Sequence, residues 1–375
     1  MRRSHGSAVG DGGSRVVLRK GEMCGMTFVL GTFLTACPSS PERSSGPDSV
    51  ENTASASREL VSRSERVMGS LVTLTAYAPD AEKAVQAFGA AFQEFHRLEA
   101  LLTVWRADSD VTRINRAAGK ARVSVAPETF EVIQRAIEMS RMTGGKFDVT
   151  FGALSGLWRF DHDQDNRIPS QDAIQERLPL VGWEQIEMDA ATHSVRLGRK
   201  GARIHLGGIG KGYAVDRAVA ILRECGLVDF MVQAGGDLYV AGRKGDRAWR
   251  VGVRDPRGGP ETYFAAAEIE DATFSTSGDY ERFFIRDGRR YHHILDPALG
   301  WPARGTRSVS VVAPDATTAD ALSTGLFVLG AERGAEIVDG LPGVGAVWVD
   351  AANQIRVAGI LRGRLKVLHH PTDGL

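Results

Sequence analysis

The sequence predicts an α+β fold built on a mixed, mostly antiparallel sheet. Segments in which apolar and polar residues alternate outnumber segments with helical spacing. Short turns join most of these strand-like segments, whereas a doubly wound α/β fold would need a helix between successive parallel strands. The 375 residues, 43% of them apolar, are enough to bury the core of one large domain or two modest domains.

The first 64 residues are predicted to lie outside this folded part. Basic residues precede a short apolar run, 23–34, which has the length of a signal-peptide core and is too short to span a bilayer. The run leads into Leu34-Thr35-Ala36-Cys37, which resembles the lipobox of bacterial lipoproteins. We therefore expect a signal peptide over 1–36 and lipidation of Cys37. An ordinary signal peptide or a chance cysteine is the alternative.

Residues 37–64 are rich in Ser, Pro, Glu and Arg, with almost no large apolar residue, and are predicted to form a disordered tether. The folded domain then covers 65–371. The lipid would hold this domain at a membrane, on its periplasmic or extracytoplasmic side. Basic and acidic residues are equal in number, 46 each, so no charge excess favours binding to nucleic acid. The three cysteines make no disulfide framework.

Apolar periodicity predicts the helices of the domain. One apolar stripe runs through 80–104, and a short helix follows over 110–118. Pro127 opens the next helix, which the glycine pair 144–145 closes. The remaining predicted helices are one after Gly212, with Val215, Ala218, Val219 and Leu222 on one face, one over 315–329 and one near 332–338.

Alternation and turn residues predict the strands. Asp287-Gly288 is the strongest hairpin signal in the chain, with strands 283–286 and 289–295 on its two sides. Residues 275–280 are small and rich in hydrogen-bond donors, which favours a turn that could hold a phosphate or a carbonyl group. The other predicted strands are 67–77, 146–152, three pieces within 185–206, 229–233, 238–240, 249–253, 309–313 and a closing hairpin.

The functional hypothesis depends most on residues 204–216. A β-favouring run stops at four glycines in six positions and continues as a helix. Glycines let a backbone approach a bulky ligand, and the N–H groups at a helix start can bind an anion such as a nucleotide phosphate. The segment is not a Walker loop, because Gly212 stands where Ser or Thr should follow Lys211. A tight connector without a ligand is the alternative.

Asp320 and Thr324 are the candidate metal ligands. They lie four residues apart within a predicted helix, so a carboxylate and a hydroxyl share one face. Mg²⁺ prefers such oxygen ligands and leaves positions for a backbone carbonyl, water and phosphate. The alternative is a capping box from Thr317 to Asp320, in which Asp320 only ties off the helix start.

His292 and His293 are the candidate proton acceptors. They end a predicted hairpin strand, where neighbouring side chains face opposite ways, so at most one of them should face a given pocket. No third soft ligand stands at a recognisable spacing, which excludes a zinc site. A surface pair without function is the alternative.

Six ordered segments carry a family resemblance. They are Gly-Gly-Lys-Phe-Asp-Val-Thr at 144–150, Leu-Gly-Gly-Ile-Gly-Lys-Gly-Tyr-Ala-Val-Asp at 206–216, Ala-Gly-Gly-Asp at 234–237, Thr-Ser-Gly-Asp-Tyr at 276–280, His-His-Ile-Leu-Asp-Pro at 292–297 and Ala-Asp-Ala-Leu-Ser-Thr at 319–324. Together they resemble the ApbE family of FAD:protein FMN transferases, from about residue 68 to the C-terminal hairpin. Many members of that family also resemble this chain in being exported lipoproteins.

The resemblance implies a T-fold-like duplicated α+β domain that binds FAD as substrate, together with Mg²⁺. It implies cleavage of the FAD pyrophosphate and attachment of FMN, through its phosphate, to a threonine hydroxyl of a target flavoprotein, with release of AMP. The rival hypotheses are an FAD pyrophosphatase that yields FMN and AMP, and a flavin-binding lipoprotein without turnover.

The resemblance also implies roles for individual residues. It places the carbonyl of Gly208, Asp320 and Thr324 on the metal. The positions that fall where the family touches FAD are Met68, Trp105, Lys146, Phe147, Asp148, Lys211 and Ile294. His293 is expected to be the base, with His292 in reserve. The chain departs from the family pattern at Trp105, where Tyr is frequent, at His205, where Asp is usual, and at Gly210, where Ala is usual.

Overall fold

The computed structural model describes residues 15–16, 58–161 and 163–374. Apart from residues 15–16, the predicted signal peptide lies outside the described residues, as does Cys37. The predicted tether is described only from residue 58 onward. There it needs correction, because a strand already begins at Glu59 and runs to Val67. Its alternating polar residues belong to a strand near the edge of a sheet, so their composition resembles that of a linker.

The strands are, in chain order, β1 (Arg15–Val16), β2 (Glu59–Val67), β3 (Ser70–Ala78), β4 (Val123–Ser124), β5 (Ile186–Asp189), β6 (Ser194–Leu197), β7 (Asp229–Ala234), β8 (Asp237–Ala241), β9 (Trp249–Arg254), β10 (Tyr263–Ile269), β11 (Ala272–Gly278), β12 (Phe283–Arg286), β13 (Arg289–His292), β14 (Leu295–Asp296), β15 (Trp301–Pro302), β16 (Thr306–Ala313), β17 (Gly345–Asp350), β18 (Ile355–Gly359) and β19 (Leu365–Val367). The α-helices are α1 (Ala81–Leu102), α2 (Asp110–Ala117), α3 (Pro127–Met142), α4 (Gln171–Arg177), α5 (Gly210–Glu224), α6 (Ala316–Leu329) and α7 (Ala331–Asp339). Short 3₁₀ turns span Val149–Leu154, Leu178–Leu180 and Trp183–Gln185.

A nine-stranded sheet organises the described part of the chain. Its order is β1-β2-β3-β7-β8-β11-β16-β17-β18, and each neighbouring pair is antiparallel. Helices α1, α5 and α6 pack on one face around the main apolar core. The smaller sheet β19-β10-β9 covers the other face with a second apolar core. The prediction of an α+β fold with mostly antiparallel sheets is therefore confirmed.

The predicted helices agree closely with the observed ones. In α1 the aromatic stripe Phe88, Phe92 and Phe95 is buried. The side chain of Asp80 caps this helix by accepting a hydrogen bond from the Lys83 N–H at 3.1 Å. Six of the seven described α-helices were predicted from local sequence. The helix α4 was missed, because its seven residues bury only Ile174 and give no apolar stripe, although Ser170 caps it.

Three predicted strands were wrong in part. The strand predicted over 67–77 is the end of β2, a turn at Met68-Gly69 with both φ angles positive, and most of β3. The strand predicted over 146–152 is largely a 3₁₀ turn, because the Asp148 side chain caps it by accepting from the Thr150 N–H at 2.8 Å. The last piece of 185–206 pairs with none of the described strands.

That last piece is held by a side chain instead of a neighbouring strand. The amide of Asn115 donates to the Ile204 carbonyl at 3.0 Å and accepts from the Ile204 N–H at 2.8 Å. The turn predicted over 275–280 is also wrong for its first four residues, which belong to β11, between β8 and β16. The described chain continues to make contacts after residue 371, since the Thr372 N–H donates to Asp255 at 2.8 Å.

Gly212 allows α5 and α6 to approach each other closely. A Cβ placed on Gly212 would lie 2.7 Å from the Asp320 Cβ and closer still to the Ala316 carbonyl oxygen. We expect Gly212→Ala to lower the free energy of unfolding by about 1–3 kcal/mol, because backbone atoms would have to move. The matched control is Gly89→Ala in α1, where only the Arg63 side chain lies within 4 Å. It should raise stability by up to about 1 kcal/mol. Chemical denaturation of both variants measures the difference.

Candidate active site

The N-terminal ends of α5 and α6 are tied together by two exchanged carboxylates. Asp216 on α5 accepts from the N–H groups of Ala316 and Thr317 at 2.7 and 2.8 Å. In return, Asp320 Oδ2 accepts from the Gly212 N–H at 2.9 Å. The start of α6 is capped by Asp216 and Asp315, so the alternative that Asp320 caps its own helix is wrong. Asp320 is instead fixed against the first turn of α5.

The three predicted metal ligands converge at this junction. A Cβ placed on Gly208 would lie 3.4 Å from Thr324 Oγ1, so the glycine backbone and the hydroxyl are neighbours. Asp320 lies one helical turn before Thr324 on the same face of α6. Among the described residues, no group of three or more His, Cys, Asp and Glu side chains could hold a metal ion. A cation here would depend on one carboxylate together with hydroxyl, carbonyl, water and phosphate oxygens, which is a donor set that suits Mg²⁺.

Lys211 lies between two buried carboxylates. Its Nζ is 2.5 Å from Asp237 Oδ2 and 3.7 Å from Asp320 Oδ1. Burial alone would lower the pKa of Lys211, but Asp237 and Asp320 outweigh it and raise the pKa above its usual value. Burial and repulsion by Asp237 raise the pKa of Asp320 to about 7, against the opposing effect of Lys211. The lysine therefore keeps its charge, and it is held mainly by Asp237.

Asp237 is a functional candidate that the sequence analysis did not name. It ends the Ala-Gly-Gly-Asp segment, begins β8 and is 2% exposed. Gly236 makes its position possible, because a Cβ on Gly236 would lie only 2.9 Å from the Thr276 carbonyl oxygen. The Gly236 carbonyl also accepts from the Thr276 N–H at 3.1 Å. The signal available in the sequence was an aspartate directly after two glycines.

Two serines near α6 were also missed as individual residues. Ser277 Oγ lies 2.8 Å from Ser323 Oγ and 3.4 Å from Thr324 Oγ1. Ser323 Oγ donates to the Asp320 carbonyl at 2.9 Å. Because β11 is a strand rather than a turn, the Ser277 side chain faces α6 and its hydroxyl lies beside the Thr324 hydroxyl.

The two histidines occupy different environments. His292 is buried, its Nε2 lies 2.9 Å from the Ala303 carbonyl oxygen, and its ring meets the edge of Phe327. His293 is half-buried, and its Nδ1 has no hydrogen-bond partner within the described residues. Burial lowers the pKa of both rings, and that of His293 lies well below its usual value. Both rings are therefore neutral near pH 7, and His293 is the better placed of the two to accept a proton.

Two of the predicted FAD-contacting side chains are already occupied by protein partners. Lys146 Nζ lies 2.9 Å from both carboxylate oxygens of Asp296. Asp148 accepts from Thr150 and from the Trp183 N–H at 2.9 Å. A cleft of about 430 Å³ lies beside them. Its lining residues are Ser140, Arg141, Gly144, Gly145, Asp148, Val181, Gly182, Trp183, Glu184, Pro297 and Ala298.

The other predicted contacts lie at different depths. The Phe147 ring is buried 3.3 Å from where a Cβ of Gly208 would lie, so it supports the glycine loop from below. The methyl group of Met68 is 3.9 Å from the corresponding position at Gly210. Ile294 is 5% exposed and belongs to the main core, whereas Trp105 is 62% exposed. The indole of Trp105 is a flat aromatic ring of the kind that stacks on another flat ring.

His205, next to the glycine loop, makes the stability of the protein depend on pH. Its Nδ1 accepts from the Gly207 N–H at 3.0 Å, and burial, followed by the charge of Arg282, lowers its pKa to about 4. The unfolded chain, with a histidine pKa near 6.5, binds a proton first as the pH falls, so stability is lost between about pH 6.5 and 4. We expect His205→Asn to remove roughly 1–2 kcal/mol of the stability difference between pH 7 and pH 5. Urea denaturation at both pH values tests this, and equal losses in the two proteins would contradict it.

The described helices include none that is both long enough and apolar enough to cross a membrane.

Comparison with known proteins places these observations in a family. The model of the ApbE family matches residues 68–348. FAD:protein FMN transferase of Treponema pallidum (strain Nichols) is 35% identical over 323 residues, which cover 82% of this chain and 89% of that protein. FAD:protein FMN transferase of Klebsiella pneumoniae (strain 342) is 33% identical over 310 residues, covering 82% and 95%.

Solved structures agree with the sequence comparison. The crystal structure of the ApbE protein from Thermotoga maritima matches with a TM-score of 0.74 and 33% identity, covering 82% of this chain and 99% of that chain. The flavin transferase ApbE from Vibrio cholerae matches with a TM-score of 0.73 and 25% identity, with the same coverage. The described fold is therefore the fold of these proteins.

Proposed function

The chain belongs to the ApbE family, and from that premise we propose that it transfers the FMN part of FAD to a threonine hydroxyl of a target flavoprotein, with Mg²⁺ bound and AMP released. Flavin transfer itself is the activity named for its relatives, and the protein is a transferase of that kind. The observation that most supports the finer proposal is the meeting of Gly208, Asp320 and Thr324 beside Lys211.

The proposed reaction is a phosphoryl transfer, which depends mainly on positioning and on charge neutralisation. The threonine oxygen of the acceptor forms a bond to the FMN phosphorus, and the bond from that phosphorus to the oxygen of the AMP phosphate breaks. Mg²⁺, held by Asp320, Thr324 and the Gly208 carbonyl, would neutralise charge on the diphosphate. Lys211 and the N–H groups of the glycine loop add positive potential at the same place.

His293 receives the proton of the threonine hydroxyl in this proposal. Its low pKa keeps it unprotonated at neutral pH, as a base must be before the reaction. His292 serves the fold, because its Nε2 is engaged with the Ala303 carbonyl in a buried position. We propose no direct chemical role for it.

Intact mass spectrometry tests this function. The purified protein is mixed with FAD, Mg²⁺ and a candidate acceptor, and the acceptor should gain the mass of one FMN group unless its threonine is replaced by valine. Release of FMN and AMP without an acceptor would identify an FAD pyrophosphatase instead. Retention of FAD without Mg²⁺ and without any AMP would identify a flavin-binding protein that has no turnover.

We also propose that Cys37 carries a lipid and that the domain is anchored on the extracytoplasmic side of a membrane. The support is the order of the basic residues, the apolar run and Cys37 in the sequence. Replacement of Cys37 by serine should move the protein from the membrane fraction to the soluble fraction. An unchanged membrane fraction would contradict lipidation at this residue.

A further inference from the structure

Arg282 has no role in the proposed reaction, although its backbone lies next to the proposed base. The Arg282 carbonyl accepts from the His293 N–H at 3.1 Å, and Arg282 directly precedes β12. Its guanidinium forms an ion pair with Asp161. A cation is therefore positioned beside His293 and held by a carboxylate from another loop.

The charges at the site, counted with the substrate and Mg²⁺ bound, leave one negative charge that such a cation would balance. With both carboxylates ionised, as a bound cation requires of Asp320, the group of Asp237, Lys211 and Asp320 carries one net negative charge. Both His205 and His293 are neutral near pH 7. On the proposed function, Mg²⁺ would bring two positive charges and the diphosphate two negative ones. One negative charge then remains, in a buried site where unbalanced charge is costly.

Lys211 cannot supply the missing charge, because it is already held by two buried carboxylates. Arg282 can, because its side chain is 46% exposed and that of Asp161 is 37% exposed. An ion pair so open to water contributes little to stability, so exchange of one anionic partner for another costs little. A guanidinium also matches the geometry of phosphate oxygens with two parallel N–H groups.

The charge of the Arg282 guanidinium acts on titratable groups near the glycine loop. After burial, Arg282 is the next cause of the lowered pKa of both His205 and His293, and it also opposes the charged form of Lys211. His205 precedes the four glycines of 207–212, and Lys211 lies among them, in the first turn of α5. Arg282 therefore makes the electrostatic potential more positive along the segment where the diphosphate is expected.

We propose that Arg282 is a substrate-binding residue that leaves Asp161 and binds the diphosphate of the flavin dinucleotide beside His293. This inference rests on the proposed function for the location of the diphosphate. Asp161 is then the partner of Arg282 in the free protein, and the anionic substrate takes its place on binding.

If the ion pair between Arg282 and Asp161 had a purely structural role, its two partners would affect FAD binding differently from what we propose. The loop that carries Asp161 is also attached to β12 through Gln164 Nε2, which donates to the Phe283 carbonyl at 3.2 Å. If the ion pair only held this loop, loss of either partner would have the same effect on FAD. If Arg282 binds the diphosphate, loss of Arg282 weakens FAD binding, whereas loss of the Asp161 charge releases the guanidinium and strengthens it.

The experiment measures the dissociation constant of FAD in the presence of Mg²⁺, by flavin fluorescence, for matched variants. Arg282→Ala should bind FAD about ten- to a hundredfold more weakly than the parent protein, as expected for loss of a charged hydrogen bond. Arg282→Gln, which keeps three side-chain carbons and a polar end but removes the charge, should show the same loss if the alanine variant does not fold. Asp161→Asn should bind up to about fivefold more tightly.

Arg286→Ala is the control for net charge, because it removes an exposed arginine from the same hairpin. Its FAD affinity should change less than about twofold. The inference is overturned if Arg282→Gln binds FAD as the parent does, or if Asp161→Asn weakens binding as much as Arg282→Gln does. These measurements need no acceptor, so failure of FMN transfer in the parent protein would overturn the proposed function separately.

Discussion

Asp320→Asn is expected to reduce Mg²⁺-dependent FMN transfer by about a hundred- to a thousandfold, a loss typical of removing one charge-stabilising group from an active site. Asparagine keeps an oxygen that can accept from the Gly212 N–H, so the contact between α5 and α6 should survive. The negative charge that faces the predicted cation is lost. Rates measured over a range of Mg²⁺ concentrations, together with a melting curve, would separate loss of the metal site from loss of the fold.

The matched control for this variant is Asp216→Asn. Asp216 is another buried carboxylate at the same junction, but it accepts from the N–H groups that begin α6. Within the described residues it has no hydrogen bond to a predicted metal ligand. Its replacement should lower the free energy of unfolding by about 1–2 kcal/mol while the folded protein keeps its Mg²⁺ dependence. Equal losses of activity in the two variants would mean that the junction matters only for folding.

Asp237→Asn is expected to lower both stability and Mg²⁺ affinity. The loss of a buried, hydrogen-bonded partner of Lys211 should reduce the free energy of unfolding by about 2–3 kcal/mol, since Asp320 remains to compensate part of the charge. Released from Asp237, the Lys211 ammonium should move toward Asp320 and compete with the cation there. We expect the Mg²⁺ concentration for half-maximal activity to rise about tenfold, which corresponds to about 1.4 kcal/mol.

A titration of activity with Mg²⁺ measures this effect, and Asp255→Asn is its control. Asp255 is also a buried carboxylate, but it follows β9, outside the candidate site, and accepts from the Thr372 N–H. Its replacement should lower stability without changing the Mg²⁺ requirement. If Asp237→Asn needs no more Mg²⁺ than the parent protein, Asp237 does not keep Lys211 away from the metal ligands.

Local sequence was sufficient for six of the seven described α-helices and for the list of candidate ligands. Phe88, Phe92 and Phe95 repeat at helical spacing, and they are buried as that spacing predicts. Asp320 and Thr324 were named because four residues make one helical turn. Such features depend on neighbours in the chain, so a sequence without a structure can indicate them.

Contacts between distant segments could not be predicted in the same way. The bond from Gly212 to Asp320 joins residues 108 apart, and that from Lys146 to Asp296 joins residues 150 apart. No local pattern specifies either pairing. Asp237 was missed for this reason, since only the folded chain shows that its carboxylate reaches Lys211.

Ser277 of β11 was missed for a different physical reason. Small hydroxyl residues favour turns in isolation, but here they lie in a strand with a paired neighbour on each side and a helix over one face. Tertiary packing decided the conformation against local propensity. The hydroxyl group of Ser277 was thereby brought next to Thr324.

The most direct test of the account is a crystal of the protein grown with FAD and Mn²⁺, with the metal located by its anomalous scattering. We predict one metal peak within about 2.0–2.3 Å of an Asp320 carboxylate oxygen, Thr324 Oγ1 and the Gly208 carbonyl oxygen, in contact with a diphosphate oxygen. A metal peak bound by other residues, or a diphosphate located away from Gly208 and Lys211, would contradict the account.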